Sequence, residues 1–133
     1  SEGLILMTND GEFAQRVAHP RHGIPKTYAV LVKGRVSRET VDKIRGGVWL
    51  SEGKTGGGSV QIQKTSRDRT YLKITIREGK NREVRRVFSR YGHNVIDLKR
   101  VRIGRLSLHG LKPGAHRFLR PEEIRGLLQA AED

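Results

Sequence analysis

The residues with the clearest chemical potential are the cationic side chains of segment 78–92, EGKNREVRRVFSRYG. Apolar residues occupy the i, i+3, i+4 and i+7 positions of one helix face, namely Val84, Val87, Phe88 and Tyr91. Three arginines recur every four residues on the opposite face: Arg82, Arg86 and Arg90. Arg85 falls between the two faces, where burial at the core edge would partly desolvate its charge. The pattern predicts an amphipathic helix that binds phosphates and holds one further charge in a cleft.

Other cations are expected to lie close to this helix. Asn81 can cap the N-terminus of this helix and Gly92 can end it, so Lys80 would lie just before its first turn. The strand that follows carries Arg100 and Arg102, which alternation places on the face of Leu98, and Lys26 is a candidate from an earlier strand. A charge run is usually a solvated face, but this accumulation favours a phosphate-binding surface.

Composition narrows the class of partner. Among 133 residues, Lys and Arg number 27 and Asp and Glu 14, which gives a net charge of +13. Such an excess indicates a polyanion, most commonly nucleic acid. No apolar run approaches the roughly 18 residues of a membrane span, and no signal peptide is predicted. The absence of cysteine excludes disulfides, a thiolate nucleophile and cysteine-ligated zinc. A cytoplasmic location and a monomer are the simplest expectations, with no membrane and no metal as partners.

The sequence reads as part of a longer protein. It begins with Ser1 rather than Met, and an apolar run starts at Leu4. Residues 1–133 are therefore expected to form a single domain that is truncated at its N-terminus.

Short strands outnumber helices in the pattern. Strands are predicted at residues 4–8, 27–33, 46–50, 60–64, 70–77, 95–103, 105–109 and 116–119. Helices are predicted after the capping residues Asp10 and Ser37, over the basic segment, and from Pro121. Because hairpin-length connections dominate, we expect an α+β domain with a mixed, mostly antiparallel sheet flanked by helices.

The sequence signals for other kinds of functional site are weaker. The glycines at 56–58 lack a GK[ST] continuation, so a hairpin loop is favoured over a phosphate loop. The five histidines show no metal-ligand spacing, and His19 and His22 fit a surface loop. Asp10 fits a cap, and Asp97 fits an ion pair with Lys99 or an arginine. Tyr28 is the one ring considered functional, with ordinary core packing as its alternative. No side chain stands out as a nucleophile.

Several segments together resemble the ribosomal RNA pseudouridine synthases of the RsuA/RluB type. The opening SEGLILMTNDG resembles the segment after the catalytic aspartate in that family, and KTYAV at 26–30 resembles its second motif. EGKNREVRRVF at 78–88 resembles the third motif, and LKRVRIGRL at 98–106 the strand after it. The resemblance extends nearly end to end in the same order, and is closest to the RluB-like large-subunit branch.

The resemblance implies an activity and site residues. The family isomerises uridine to pseudouridine within RNA, needs no cofactor, and uses an aspartate as nucleophile. By this resemblance, Tyr28 packs on the target base and Arg85 pairs with the aspartate. Leu98 would form an apolar wall of the base pocket. The remaining candidates would bind RNA: Lys26, Lys80, Asn81, Arg82, Arg86, Arg90, Arg100 and Arg102.

One departure from the family concerns the nucleophile. The family aspartate belongs to a GRLD-type motif just upstream of the SEG that opens this sequence, so it is expected before Ser1. The 133-residue chain alone is therefore predicted to be inactive, with no other carboxylate as a replacement. The alternative is a non-catalytic basic RNA-binding or ribosome-assembly module. A nonspecific DNA-binding domain is a weaker alternative, since helix-turn-helix and zinc signatures are missing.

Overall fold

The structure is a computed structural model that describes residues 2–19, 23–77 and 82–132. Its strands are β1 (Glu2–Gly3), β2 (Lys26–Lys33), β3 (Trp49–Leu50), β4 (Gly53–Lys54), β5 (Ser59–Thr65), β6 (Arg69–Ile76), β7 (Val95–Ile103) and β8 (Leu106–Ser107). Its helices are α1 (Gly11–Ala18), α2 (Arg38–Arg45), α3 (Glu83–Arg90) and α4 (Pro121–Glu132). The predicted α+β class is confirmed.

A mixed sheet forms the centre of the domain. Its strands lie in the order β1-β7-β2-β6-β5, and β8 pairs with β7. Every pairing is antiparallel except that of β1 with β7, which is parallel. A separate hairpin joins β3 to β4. The prediction of a mostly antiparallel sheet is therefore confirmed.

One face of the sheet, here called the core face, is covered by α2 and α3. Alternation along β2 puts Val30 and Val32 inward, and both are fully buried. Ser37 accepts a hydrogen bond from the Thr40 N–H at 3.1 Å, so α2 begins where its cap predicts. The apolar sides of both helices then pack into this core through Val41, Ile44, Val84, Val87 and Phe88.

A second, smaller core lies beneath α1 and α4. Ile24, Ile103 and Leu127 are buried there, and Phe13 and Val17 of α1 pack against them. Asp10 caps α1 as predicted, since its carboxylate accepts the Phe13 N–H at 3.1 Å.

The predicted strand at residues 4–8 is wrong. Only Glu2 and Gly3 pair with β7, and Ile5 and Met7 are 70% and 89% exposed. An apolar run forms a strand only where a neighbouring strand is available to pair with it. In the described chain, no strand pairs with this segment beyond Gly3.

Other predicted strands are shortened or absent. Segment 46–50 is a strand only at β3, segment 105–109 only at β8, and residues 116–119 have no strand conformation. Segment 52–59, EGKTGGGS, whose composition predicts a flexible connection, contains β4.

The glycines at 56–58 allow the loop backbone to lie very close to the backbone of neighbouring elements. They connect the small hairpin to the main sheet and so do not form the hairpin loop that was predicted. A Cβ at Gly57 would collide with the Arg45 carbonyl oxygen, and one at Gly58 with the Thr75 carbonyl oxygen. The glycines allow the loop to pack between α2 and β6.

A β-bulge in β7 changes the predicted face of one arginine. Thr27 is opposite Arg102, but Tyr28 is opposite Arg100, so Val101 is an extra residue. Arg100 therefore shares the core face with Leu98, as predicted, whereas Arg102 points to the opposite face. The prediction for Arg102 is wrong because strict alternation fails at a bulge.

Candidate active site and its cationic surroundings

The site is built around Tyr28, which is half-buried at the margin of the main core. Its cross-strand neighbour on β7 is Arg100, on the same face. The Arg100 side chain is fixed, because its Nε donates to the Leu4 carbonyl oxygen at 2.8 Å. The Leu4 N–H donates in turn to the Arg100 carbonyl oxygen at 2.8 Å. These bonds place the N-terminal segment directly beside the tyrosine and arginine pair.

Lys26 lies two residues before Tyr28 on the same face and is half-buried. Burial lowers the pKa of the Lys26 ammonium, the nearby Arg100 charge lowers it further, and Glu83 raises it. Glu83, in the first turn of α3, is only 4% exposed. Sequence patterns did not identify it, although an acid inside an otherwise basic motif was a visible signal. The site therefore has a positive potential that the buried Glu83 carboxylate partly offsets.

Helix α3 carries the predicted arginines at different depths. Arg82 and Arg90 are exposed, whereas Arg85 is partly buried, which confirms its predicted place at the core boundary. Within the described residues, the Arg85 side chain makes no hydrogen bond or ion pair. Lys80 and Asn81 lie outside the described residues. The N-cap position is Arg82 rather than Asn81, with φ 51° and no side-chain cap.

Arg86 differs from the other helix cations because it is already paired. Its two terminal nitrogens donate to the Glu52 carboxylate at 2.6 and 2.5 Å. These bonds lower the pKa of Glu52 to about 2 and raise that of Arg86. The contact fastens the β3–β4 hairpin to α3. Sequence patterns missed Glu52 because the contact joins residues 34 positions apart.

Leu98 is buried on the core face opposite Val30, and only the Ala29–Lys99 pair, which points to the other face, separates it from Tyr28 and Arg100. The structure thus brings four predicted residues to one face of the sheet: Lys26, Tyr28, Leu98 and Arg100. Arg85 lies on α3, whose apolar side packs on that face. Arg102 does not join them.

Neither a metal centre nor a membrane span emerges from the described part of the chain. There, no three His, Asp or Glu side chains are grouped so as to hold a metal ion. Likewise, no described helix is long and apolar enough to cross a bilayer.

Comparison with known proteins identifies the class to which this fold belongs. A crystal structure of a pseudouridylate synthase superposes with a TM-score of 0.87 at 30% sequence identity, covering 94% of this chain and 54% of that one. A box H/ACA complex of Nop10 and Cbf5 shares the fold alone, with a TM-score of 0.52 at 16% identity.

Sequence comparison gives the family. The family model described as RNA pseudouridylate synthase matches residues 1–90, and the chain belongs to this family. It is 41% identical over 134 residues to the ribosomal large subunit pseudouridine synthase B of Bacillus subtilis, covering 99% of the chain and 55% of that protein. It is 39% identical over 123 residues to the ribosomal small subunit pseudouridine synthase A of Yersinia pestis, covering 92% and 52%. The chain thus spans about half the length of these relatives, and the resemblance found in its motifs is confirmed.

Proposed function

We propose that this chain provides most of the catalytic domain of an enzyme that isomerises uridine to pseudouridine in ribosomal RNA. The observation that carries this proposal is the family match over residues 1–90, which includes the Tyr28 strand and the whole of α3. The relatives named above as ribosomal RNA synthases support the substrate class.

In this proposal Tyr28 receives the target base. Its ring is partly exposed at the core margin and offers a flat apolar face together with a hydroxyl. Leu98, on the same face, would form the apolar wall behind the base. The target nucleotide must leave its stack to reach them.

Arg85 pairs with the nucleophilic aspartate, which the residues before Ser1 would supply. A partly buried guanidinium without a partner among the described residues suits a carboxylate, and the pair would keep that carboxylate ionised. The pairing of β1 with Lys99 and Arg100 supports this role. A residue about four positions before Ser1 is five residues from Glu2 and so lies within roughly 18 Å of it, close enough to approach the site.

The remaining cations around the site bind the phosphates that flank the target. Arg82 and Arg90 are exposed on α3, Lys26 and Arg100 stand beside Tyr28, and Lys80 and Asn81 precede the helix. Arg86 contributes less than the others because Glu52 already neutralises it. No cofactor is required.

Large-subunit RNA is the proposed substrate, and a cytoplasmic monomer the proposed form. The motifs KNREVRRV and LKRVRIG support the large-subunit choice, together with the name of the Bacillus subtilis relative.

Tritium release from ribosomal RNA labelled at uridine C5 tests the proposal. This chain is compared with a protein extended upstream through the expected GRLD segment. We expect release by the extended protein only, since C5 loses its hydrogen when it forms the new glycosidic bond. Release by the 133-residue chain alone would contradict the upstream nucleophile. No release by either, with salt-sensitive RNA binding retained, would favour a non-catalytic RNA-binding module.

A further inference from the structure

The sheet has a second face, here called the open face, on the side away from α2 and α3. The strand register assigns its members, because residues paired across strands point to the same side. It includes Ala29, Leu31 and Lys33 of β2 and their partners. Six cations belong to it: Lys33, Lys64, Arg69, Lys73, Lys99 and Arg102. The acids that the register places there are Glu2 and Asp97.

These cations are available to solvent. Lys99 is partly exposed and the other five are exposed. Across the described residues, none of the six side chains makes an ion pair or a hydrogen bond, and Asp97 lacks the ion pair that was predicted for it. The bulge at Val101 adds to the group, because it turns Arg102 onto this face.

The arrangement opposes the stability of the free protein. Lys33 stands directly opposite Arg69, and like charges in that position are destabilising. Lys73 and Lys99 flank Ala29 on its two neighbouring strands, so their Cα atoms are about 10 Å apart at the usual strand spacing. A polyanion laid across the face would relieve this repulsion.

We propose that the open face binds backbone phosphates of ribosomal RNA beyond the target nucleotide. Among the described strands, the register places one aromatic residue on this face, Tyr71, which is 40% exposed. With so few aromatic rings, the open face suits phosphate contacts rather than base stacking. Tyr28 and Arg100 lie on the core face, so one RNA must pass around an edge of the sheet to touch both faces. A long RNA can do this, whereas a short hairpin that contains only the target loop cannot. The inference rests on the RNA-binding part of the proposed function.

The test is RNA affinity as a function of salt. The variant Lys33→Gln/Lys73→Gln/Lys99→Gln is compared with a charge-matched control, Arg38→Gln/Lys112→Gln/Arg125→Gln, whose exposed residues lie elsewhere. For a long ribosomal RNA fragment, we expect the open-face variant to bind at least about tenfold more weakly. The slope of log K against log salt should become shallower by about 2, as for three lost phosphate contacts. A short hairpin that contains only the target loop should bind both variants equally.

Each outcome separates the two proposals. Equal effects of the two variants on the long RNA would overturn the open-face site and leave the proposed function intact. Weaker binding to heparin without weaker binding to RNA would also overturn it. Failure of the unmodified chain to bind any RNA would overturn both. If the triple variant does not fold, the single variants Lys73→Gln and Arg125→Gln make the same comparison, with an expected slope difference of about 0.8.

Discussion

Two arginines of α3 occupy environments that predict opposite mutant phenotypes. Arg85 is partly buried and Arg90 exposed. In the upstream-extended protein, we expect Arg85→Ala to lower turnover at least about 100-fold, the scale of losing one fixed transition-state contact, with RNA affinity nearly unchanged. Arg90→Ala should weaken RNA binding and leave single-turnover chemistry at saturation intact. Single-turnover kinetics with a labelled rRNA fragment measures both.

Arg86→Ala is not a suitable control for this pair, because it also releases Glu52 from α3. The assigned role of Arg85 would be wrong if Arg85→Ala and Arg90→Ala both changed affinity by the same factor and spared the chemistry.

Lys26 is predicted to destabilise the free protein. Its pKa is lowered, chiefly by burial and then by Arg100, so the folded state holds this proton less firmly than the unfolded state does. Lys26→Met should therefore raise the midpoint of urea unfolding at pH 7. As pH rises through the lowered pKa towards 10.5, the parent protein gains stability and the difference should shrink. A difference that stays constant between pH 7 and pH 10 would contradict this cause. Lys43→Met, on the exposed side of α2, is the control.

Local signals at individual residues were predictable and long-range ones were not. Asp10 and Ser37 cap their helices through contacts three residues away, which a short sequence window contains. The face of Arg102 depends on a bulge, and the neutralisation of Arg86 depends on a distant hairpin. Neither is encoded in the spacing of the residues themselves.

At the scale of elements, the β3–β4 hairpin should loosen from α3 in acid. The pKa of Glu52 is about 2 because Arg86 binds its carboxylate. The stabilisation is complete above the ordinary value of 4.5 and is lost as pH falls towards 2. Trp49, the single tryptophan of the chain and 65% exposed, reports on this hairpin. We expect its fluorescence anisotropy to fall in that interval.

The control for this transition is Glu52→Gln, which removes the titrating group. Its anisotropy should be low already at pH 7 and flat down to pH 2. A transition that persists in Glu52→Gln would assign the change to another group.

The start of α3 depends on an unusual backbone conformation. Arg82 has φ 51°, the one positive φ outside glycine among the described residues. Side chains branched at Cβ avoid this region, so Arg82→Val should destabilise by about 1–2 kcal/mol. Arg82→Gly should be close to neutral in stability while lowering RNA affinity through the lost charge. Chemical denaturation of both variants checks this; equal losses would show that charge rather than conformation is responsible.

For the whole molecule, class and sheet type were predictable, but not the division into two cores. Alternation along β2 and β6 identifies the strands that carry the main core, because their buried side recurs every second residue. The packing of α1 on α4 was not predicted, since it depends on Ile103 and Leu127, far apart in sequence. The strand prediction at residues 4–8 was wrong because this packing, too, depends on long-range contacts. Leu4 and Leu6 pack against the second core without forming a strand.

The pairing of Glu2 with Lys99 also has a consequence for the order of folding during synthesis. The first strand described in this chain cannot find its partner until nearly a hundred further residues have been synthesised after it. Until then Leu4 and Leu6, which later pack into the second core, remain without their contacts, next to the exposed Ile5 and Met7. Contacts this far apart in sequence form late. The nascent chain is therefore vulnerable to aggregation until β7 and then α4, which complete the second core, have emerged.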